Sequence, residues 1–377
     1  MNIKLYDKNN ISDLKIVNDD YDFNYALNYI SPFIKYGIEK YISNVSGKMK
    51  LLVVDNRWIL PLFIPKPNKN NSYVASLYSH YYLYAKEELE ELKNKFLELL
   101  FKPIAMFLSL FLKLSKIDDC VYINNWLLST NLYTDIPCEY IHEITKFVAH
   151  IYEGKPVVWN SINEKTTGNF FNAMKSNNYV FLLSRSIYIQ DKFKDLGFRI
   201  NRVIKREEKL LRNTSYETSE NIDVNRAVYL YNKLYIEKYS KYNPKFTSEF
   251  IKLSLKNKLL KFYNFEKEGK SEGIIGFFKR QCVMTTPILG YNTDLPREEN
   301  LYRILSIKLQ LEAKNNNLIF HSSAGAGEFK KSRGAKNYFE YRTIYLNNSG
   351  FFKKTVFKFL EKFLEKFIKP MMIKKGL

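Results

Sequence analysis

The sequence predicts an α/β (α+β) protein made of a duplicated unit, each copy a mixed, mostly antiparallel sheet flanked by helices. Three observations carry this. The chain has 377 residues, and two domains of about 150–200 residues are the expectation at that length. A hydrophobic fraction of 46% supplies ample core, and 14 Gly and 11 Pro leave no room for collagen-like or low-complexity segments. One order of elements, three strands, helix, strand, helix, strand, is then read twice along the chain.

The first ~40 residues read as a helical lead-in. "KLLVVD" (50–55) and "WILPLFIP" (58–65) are strands around a short Asn56-Arg57 turn. "YVASLYSHYYLY" (73–84) reads as a third strand. "KEELEELKNKFLELL" (86–100) is helical, with Leu89, Leu92, Phe96 and Leu99 at three- and four-residue spacing. "DDCVYINN" (118–125) is a strand, "YIHEITKFVAHIY" (140–152) and "NEKTTGNFFNAMKSNNY" (163–179) are helices, and "FLLSRSIYIQ" (181–190) is a closing strand. A charged stretch, 191–217, reads as helical and holds the boundary near 195. The order then returns. "EFIKLSLKN" (249–257) is a helix. "LLKFYNFE" (259–266), "GIIGFFKR" (273–280) and "CVMTTPILGYN" (282–292) are three strands. "EENLYRILSIKLQLEAKN" (298–315) is a helix, "NLIFHSS" (317–323) a strand, and "YFEYRTIYL" (338–346) the last strand after a short helix. The division expected is 1–194, 195–350 and a helical tail, 351–377.

The formal charge of +20 points to an anionic partner, or to a lysine-rich solvated surface. Cys120, Cys138 and Cys282 are isolated, so neither a disulfide frame nor a zinc site is expected, and no metal is assigned. The N-terminus shows no apolar signal core. The most apolar segment, 96–114, has an uncharged run of only Pro103–Leu112 and reads as a buried helix, not a span. The expectation is a cytoplasmic protein, either free or peripheral to the inner face of the membrane.

The stretches "LYNKLYIEKYSKYNP" (230–244), "MTTPILGYNTDLP" (284–296), "NLYRILS" (300–306) and "HSSAGAGEFKKSRGA" (321–335) with "EYRTIY" resemble bacterial proteins of the GNAT (Gcn5-related) acyltransferase superfamily. Within it they are similar to the tandem-GNAT FemAB-like and CelD/BioF2-like group. The resemblance is dense over 225–346 and fainter over 45–190, where "YSHYYLYA" and "VVWNSINE" echo it. It implies two tandem GNAT-like domains, the second binding the donor and the first structural or acceptor-side. It also implies that strand 282–292 splays from its neighbour, so that the backbone around Ile288, Leu289 and Gly290 pairs with a pantetheine arm. The next helix would take a pyrophosphate at its N-terminus, where free N–H groups and the helix dipole favour an anion. "REENLY" has the spacing of the superfamily's Q/R-x-x-G-x-G/A signature, with Arg297, Asn300, Leu301, Tyr302 and Arg303 at that position. It departs from the signature: Asn300 and Tyr302 replace small residues, and Glu298 and Glu299 put negative charge beside the phosphate position. Co-substrates open at this point are acyl-CoA and the phosphopantetheine of an acidic acyl carrier protein, which has no adenosine diphosphate.

The resemblance also implies an FK-x-x-x-G-like element, matched by Phe329, Lys330 and Gly334. Small residues such as Gly325 and Gly327 let backbone N–H groups approach a ligand, and Lys330, Lys331 and Arg333 add cationic donors for an oxyanion or phosphate. His321 ends its strand beside this loop and is a candidate general base or a packed strand-end histidine. His80 reads as its counterpart in the first half, and Glu340 and Tyr341 are further acid–base or substrate-binding candidates. Direct attack on the donor needs no covalent nucleophile, so Ser322 and Ser323 are assigned hydrogen bonding.

In the tail, "FFKKTVFKFLEKFLEKFIKP" (351–370) puts Phe352, Val356, Phe359, Leu360, Phe363, Leu364 and Phe367 on one helical face and lysines opposite. It would pack on the core, cover an acyl chain, or lie on an anionic bilayer. The expected function is acyl transfer, of a medium or long chain, to an amine or hydroxyl of a peptide, sugar or lipid precursor. The alternatives are FemX-like transfer from aminoacyl-tRNA and a non-catalytic adaptor at a membrane or carrier protein.

Overall fold

Twelve strands lie edge to edge in one sheet. The computed structural model describes every residue except 16–19, 69, 88–94, 195, 347–348 and 376–377. The strands are β1 (Ile3–Tyr6), β2 (Gly47–Val54), β3 (Trp58–Pro65), β4 (Val121–Ile123), β5 (Val157–Ile162), β6 (Val180–Gln190), β7 (Glu217–Ser219), β8 (Lys261–Lys267), β9 (Lys270–Arg280), β10 (Val283–Tyr291), β11 (Ile319–His321) and β12 (Lys336–Tyr345). The helices are α1 (Tyr21–Tyr36), α2 (Lys95–Leu114), α3 (Tyr140–Ile151), α4 (Gly168–Ser176), α5 (Phe198–Arg212), α6 (Val224–Asn232), α7 (Ser248–Lys256), α8 (Leu301–Asn315), α9 (Gly327–Lys331), α10 (Phe351–Phe363) and α11 (Lys369–Lys375). The expected boundary at 195 lies outside the described residues, as does the 88–94 part of the helix expected over 86–100.

The strand order is β1-β2-β3-β4-β5-β12-β6-β11-β10-β9-β8-β7. It reads the same from either edge when β7 to β12 are matched to β1 to β6. The last strand of each set is exchanged: β12 pairs with β5, and β6 pairs with β11. β6 and β12 then pair with each other from Lys336↔Ile189 to Ile344↔Val180. Among the described residues only β4–β5 and β10–β11 are parallel.

Three sequence expectations are corrected. The edge strand β1 falls in the stretch read as helical lead-in, and β7 begins at the last residue of the stretch read as charged helix; each is short and is created by a distant partner, Ile3↔Val54 and Glu217↔Glu266. The stretch 73–84 is not a strand but turns into a π-helical turn, Ser79–Tyr84. Its start is capped: Ser76 Oγ accepts the Ser79 N–H at 2.8 Å, and Asp118 accepts the Tyr78 N–H at 3.0 Å. These side chains satisfy donors that a helix start leaves open. Thirdly, α2 is only half buried. Leu108 and Leu112 are in the core, but Met106, Phe107, Leu110 and Leu114 each stand more than half exposed. Among the described residues no helix is long and apolar enough to cross a membrane.

The main core runs through both sequence halves. Tyr29 and Phe33 of α1 pack edge-on against Phe250 of α7, at 6.2 and 6.5 Å between ring centres. Arg280, at the end of β9, reaches back to Asp22 of α1 through two hydrogen bonds of 2.8 and 2.6 Å. A second core lies under α8, where Leu305 and Leu309 meet Phe265 and Ile275. Gly290 on β10 is a contact point for α6. A Cβ there would sit 2.5–2.7 Å from the backbone of Leu230 and Tyr231, and backbone cannot swing aside. Gly290→Ala is expected to cost about 2–3 kcal/mol in chemical denaturation; a cost near zero would show that α6 does not seat on this strand.

Candidate active site

Strand β10 leaves its neighbour in mid-course. Its parallel pairing with β11 covers Val283↔Ile319, Met284↔Phe320 and Thr285↔His321, and ends there. A register shift follows between Thr285 and Ile288, and β10 continues to Tyr291 paired with β9 alone. Pro287, within the shift, has no N–H to offer a ladder. The gap opens into a cavity of about 350 Å³.

Six tyrosines line this cavity: Tyr73, Tyr84, Tyr231, Tyr235, Tyr239 and Tyr302. Tyr84 comes from the π-helical turn Ser79–Tyr84, and Tyr235 and Tyr239 from a matching one, Lys233–Tyr239, that follows α6. Such turns insert a residue and swing side chains inward. Tyr73 packs at a tilt against Tyr84 at 4.9 Å, and Tyr231 stacks on Tyr235 at 4.9 Å. Burial raises the phenols of Tyr231 and Tyr235, so both stay protonated.

The loop between β11 and α9 faces the same cavity through Ser322, Ser323, Ala324, Gly325 and Ala326. Ser323, Gly325 and Ala326 have φ of 61°, 78° and 51°, a conformation natural only to glycine. Lys330 gathers the loop. Its Nζ donates to the carbonyls of Ser322 (2.6 Å), Ser323 (3.4 Å) and Ala324 (2.8 Å). In a trans peptide the N–H points opposite to the preceding carbonyl, so the N–H groups of Ala324 and Gly325 turn away from the lysine. Among the described residues neither has an acceptor. Burial, and then the Arg185 charge, push the Lys330 ammonium down to about 7.

His321 is 1% exposed and lines both this cavity and a second one of about 520 Å³. The second cavity is walled by the segments 130–136 and 161–170, with Gln281, Cys282 and Val283. Its lining is mostly hydroxyls and amides, among them Thr130, Asn131, Ser161, Asn163 and Thr167. The Nδ1 of His321 accepts the Ser323 N–H at 3.2 Å, while Nε2 faces Glu340 Oε2 at 3.7 Å. Neither Nε2 nor Oε2 has a hydrogen-bond partner. Burial, then the nearby Arg185, lower the imidazole to about 3, so it is neutral. With Nδ1 accepting, the ring proton sits on Nε2. The Nδ1 lone pair is engaged by the Ser323 N–H, as in a packed strand-end histidine.

Arg185 of β6 ties these groups together. Its guanidinium donates to Glu340 Oε1 (2.7 Å), Ser323 Oγ (3.0 Å), the Ser129 carbonyl (2.5 Å) and Thr130 Oγ1 (3.0 Å). Sequence reasoning passed over it, although an arginine inside the apolar strand "FLLSRSIYIQ" is a signal that was there to use.

Other sequence candidates are placed differently. Asn300 is left-handed (φ 54°) at the start of α8, but its Oδ1 accepts from Arg303 at 2.5 Å. Arg303 makes two 2.9 Å bonds to Glu207 of α5, and Arg333 a third. Both cations thus share one fully buried carboxylate, which fixes their side chains but offsets only one of the two charges. Arg297 is exposed, and Leu301 is buried in the core under α8. Glu299 is held by Lys267 and Tyr216. Tyr302 does reach the cavity and packs on Phe329 at 4.9 Å. Of the β10 trio only Leu289 lines the cavity, since Ile288 is fully buried in the main core and Gly290 sits on α6.

Glu340 and Tyr341 point to opposite faces, as neighbours on a strand do. Tyr341 lies against Phe171 and Phe181 and accepts from Lys369 of the tail, away from the cavity. Lys331 pairs with Glu328 at 2.8 Å on the surface. Gly327 opens α9. His80 is not the strand-end counterpart of His321: it lies on the π-helical turn, with Nε2 3.2 Å from the Ser184 carbonyl, and burial holds it neutral. The true topological match to "GEFK" of α9 is "GNFF" of α4, where Phe171 stands in place of the lysine. Among the described residues no cluster could hold a metal ion.

No family model matches the sequence, and no curated protein does. Among solved structures, FemX superposes with a TM-score of 0.55 over 92% of this chain and 99% of its own, at 7% identity. A conserved protein of unknown function from Bacteroides thetaiotaomicron VPI-5482 gives 0.49 over 89% and 96%, at 8% identity. A tandem GNAT protein from the clavulanic acid biosynthesis pathway gives 0.38 over 91% and 98%, at 7% identity. The FemX superposition, over nearly the full length of both chains, shows that this chain has a FemX-like fold.

Proposed function

We propose that this protein is an acyltransferase with its donor in the tyrosine-lined cleft and its acceptor in the hydroxyl- and amide-lined cavity. The observation that carries the reading is the splay of β10 from β11 over a loop with two unpaired N–H groups, those of Ala324 and Gly325. A carbonyl at the end of the cleft would develop negative charge against those donors, and Lys330 holds the loop in the shape that presents them. The two cavities share His321, so donor carbon and acceptor would meet beside it. The acceptor nitrogen or oxygen forms the new bond to the carbonyl carbon, the donor's C–S or C–O bond breaks, and the acceptor's proton leaves with the departing group.

The donor we favour carries no diphosphate at the start of α8. Glu298 and Glu299 lie there, and Arg303 is committed to Glu207. A thioester on the phosphopantetheine of an acyl carrier protein fits this better than acyl-CoA. The charge of +20 and the six tyrosines favour a second donor, the aminoacyl ester of a charged tRNA, whose terminal base has a face to stack.

Native mass spectrometry of the full chain with acyl-CoAs of graded length, an acylated carrier protein and an aminoacyl-tRNA separates these. Retention of the carrier thioester but not of acyl-CoA is the expected result. Retention of acyl-CoA alone would overturn the donor assignment. Binding of none, with no loss of acyl group to any amine or hydroxyl acceptor, would overturn the transferase reading.

A further inference from the structure

The tail runs from α10 through a π turn, Leu364–Ile368, into α11. Its buried stripe is Val356, Phe357, Leu360 and Leu364, which joins the main core. The phenylalanines expected on that face are mostly not in it. Phe359 and Phe367 stand 52% and 56% exposed, and half-buried Phe363 lies between them. The three rings line up along the helix, with centres 6.3 and 5.5 Å apart. Phe352, at 47% exposed, lies two turns further back on the same side of the helix.

The charges beside this ridge are of one sign. Glu361 is turned inward, and its Oε1 accepts the Phe181 N–H at 2.6 Å. Glu365 is taken by Lys369 at 2.8 Å. Lys358, Lys362 and Lys366, each directly before one phenylalanine of the ridge, are exposed. Among the described residues none of the three forms an ion pair. A helix packed on a soluble core ordinarily hides its aromatic face and turns mixed charges outward. Here the acids are used internally and the outer face is aromatic and cationic.

We propose that this face of the tail lies on an anionic lipid bilayer, with Phe359, Phe363 and Phe367 at the acyl boundary and the three lysines at the phosphates. The ridge stands out from the protein surface, and the exposed lysines beside it are of one sign, which suits a surface of uniform opposite charge. A second exposed apolar stripe lies nearby in the chain: α2 ends shortly before Asp119, to which Lys353 at the start of the tail is bonded at 3.3 Å. The proposal is independent of the chemistry assigned to the cavities.

The test is co-sedimentation of the full chain with phosphatidylcholine vesicles and with vesicles containing about 30% phosphatidylglycerol at low salt. Binding to the anionic vesicles and not to the neutral ones is expected. Near an anionic surface each lysine is worth about fivefold in partitioning, so K358Q/K362Q/K366Q should weaken binding by about a hundredfold. F359S/F367S should weaken it by at least about tenfold. Both variants should melt with the wild type, because the altered side chains are largely exposed. Equal partitioning to neutral and anionic vesicles, or none to either, would overturn the proposal. So would wild-type binding by both variants.

Discussion

Replacing Lys330 with methionine is expected to lower the rate of acyl transfer at saturating donor by about a hundredfold or more. The ammonium gathers the carbonyls of Ser322, Ser323 and Ala324, and methionine gathers none. Without it, the N–H groups of Ala324 and Gly325 lose their common direction. The loss should fall on kcat more than KM, because the tyrosine walls that hold the donor stay in place. A change under threefold would sink the role given to this loop. The same variant has a thermodynamic signature. Burial and Arg185 lower Lys330 from 10.5 to about 7 in the folded chain. Between those values the unfolded chain binds more protons than the native one, so stability from this group rises with pH across that window. Wild type should therefore gain melting temperature relative to K330M as pH is raised from about 7 towards 10. A difference that stays flat would mean the lysine is not desolvated.

Glu207→Gln is expected to be the most damaging single change to stability, at about 3–5 kcal/mol in urea denaturation near neutral pH. Glu207 has no exposed surface and is the carboxylate that bridges Arg303 and Arg333. The amide would leave two guanidinium groups facing each other without a countercharge. Burial pushes the Glu207 carboxyl up, but the hydrogen bond from Arg303 and the charge of Arg333 outweigh it, and the net shift is down. A carboxylate held low contributes fully above its ordinary range and loses that contribution as pH falls through its folded value. Wild type and E207Q should thus converge only in acid, below the ordinary value of 4.5. Convergence already near neutrality would show that the two arginines find other partners. The variant also bears on the donor, since it would free Arg303 at the start of α8, where a diphosphate would sit.

Much of this architecture was legible in local pattern. Short apolar runs bounded by turns, "WILPLFIP" and "GIIGFFKR", gave strands, and helical periodicity over 298–315 gave the helix that became α8. The loop 321–335 stood out because small residues are scarce elsewhere in so bulky a chain. What escaped was whatever depended on distant partners. β1 and β7 are strands only because β2 and β8 offer them edges. The run 73–84 is rich in the aromatic residues that favour strands, yet Asp118 caps it into a helical turn. Arg303 and Arg333 look like phosphate ligands until Glu207, from a helix well before them in the chain, closes on both.

The sequence by itself determined most of the central strands and helices, the small-residue loop 321–335 and the amphipathic tail, because each is written in composition or spacing along a few turns of chain; the FK element on that loop came from the family resemblance. Only the tertiary structure decided that the two repeats exchange their final strands and share one sheet. That exchange sets Arg185 of β6 beside Glu340 of β12, carries both to the loop of Ser323, and brings two cavities to either side of His321. It also decided which face of the tail is buried. The reason is the same in each case: which donors, charges and apolar stripes are satisfied depends on groups that lie far apart in the chain and meet only when the sheet closes.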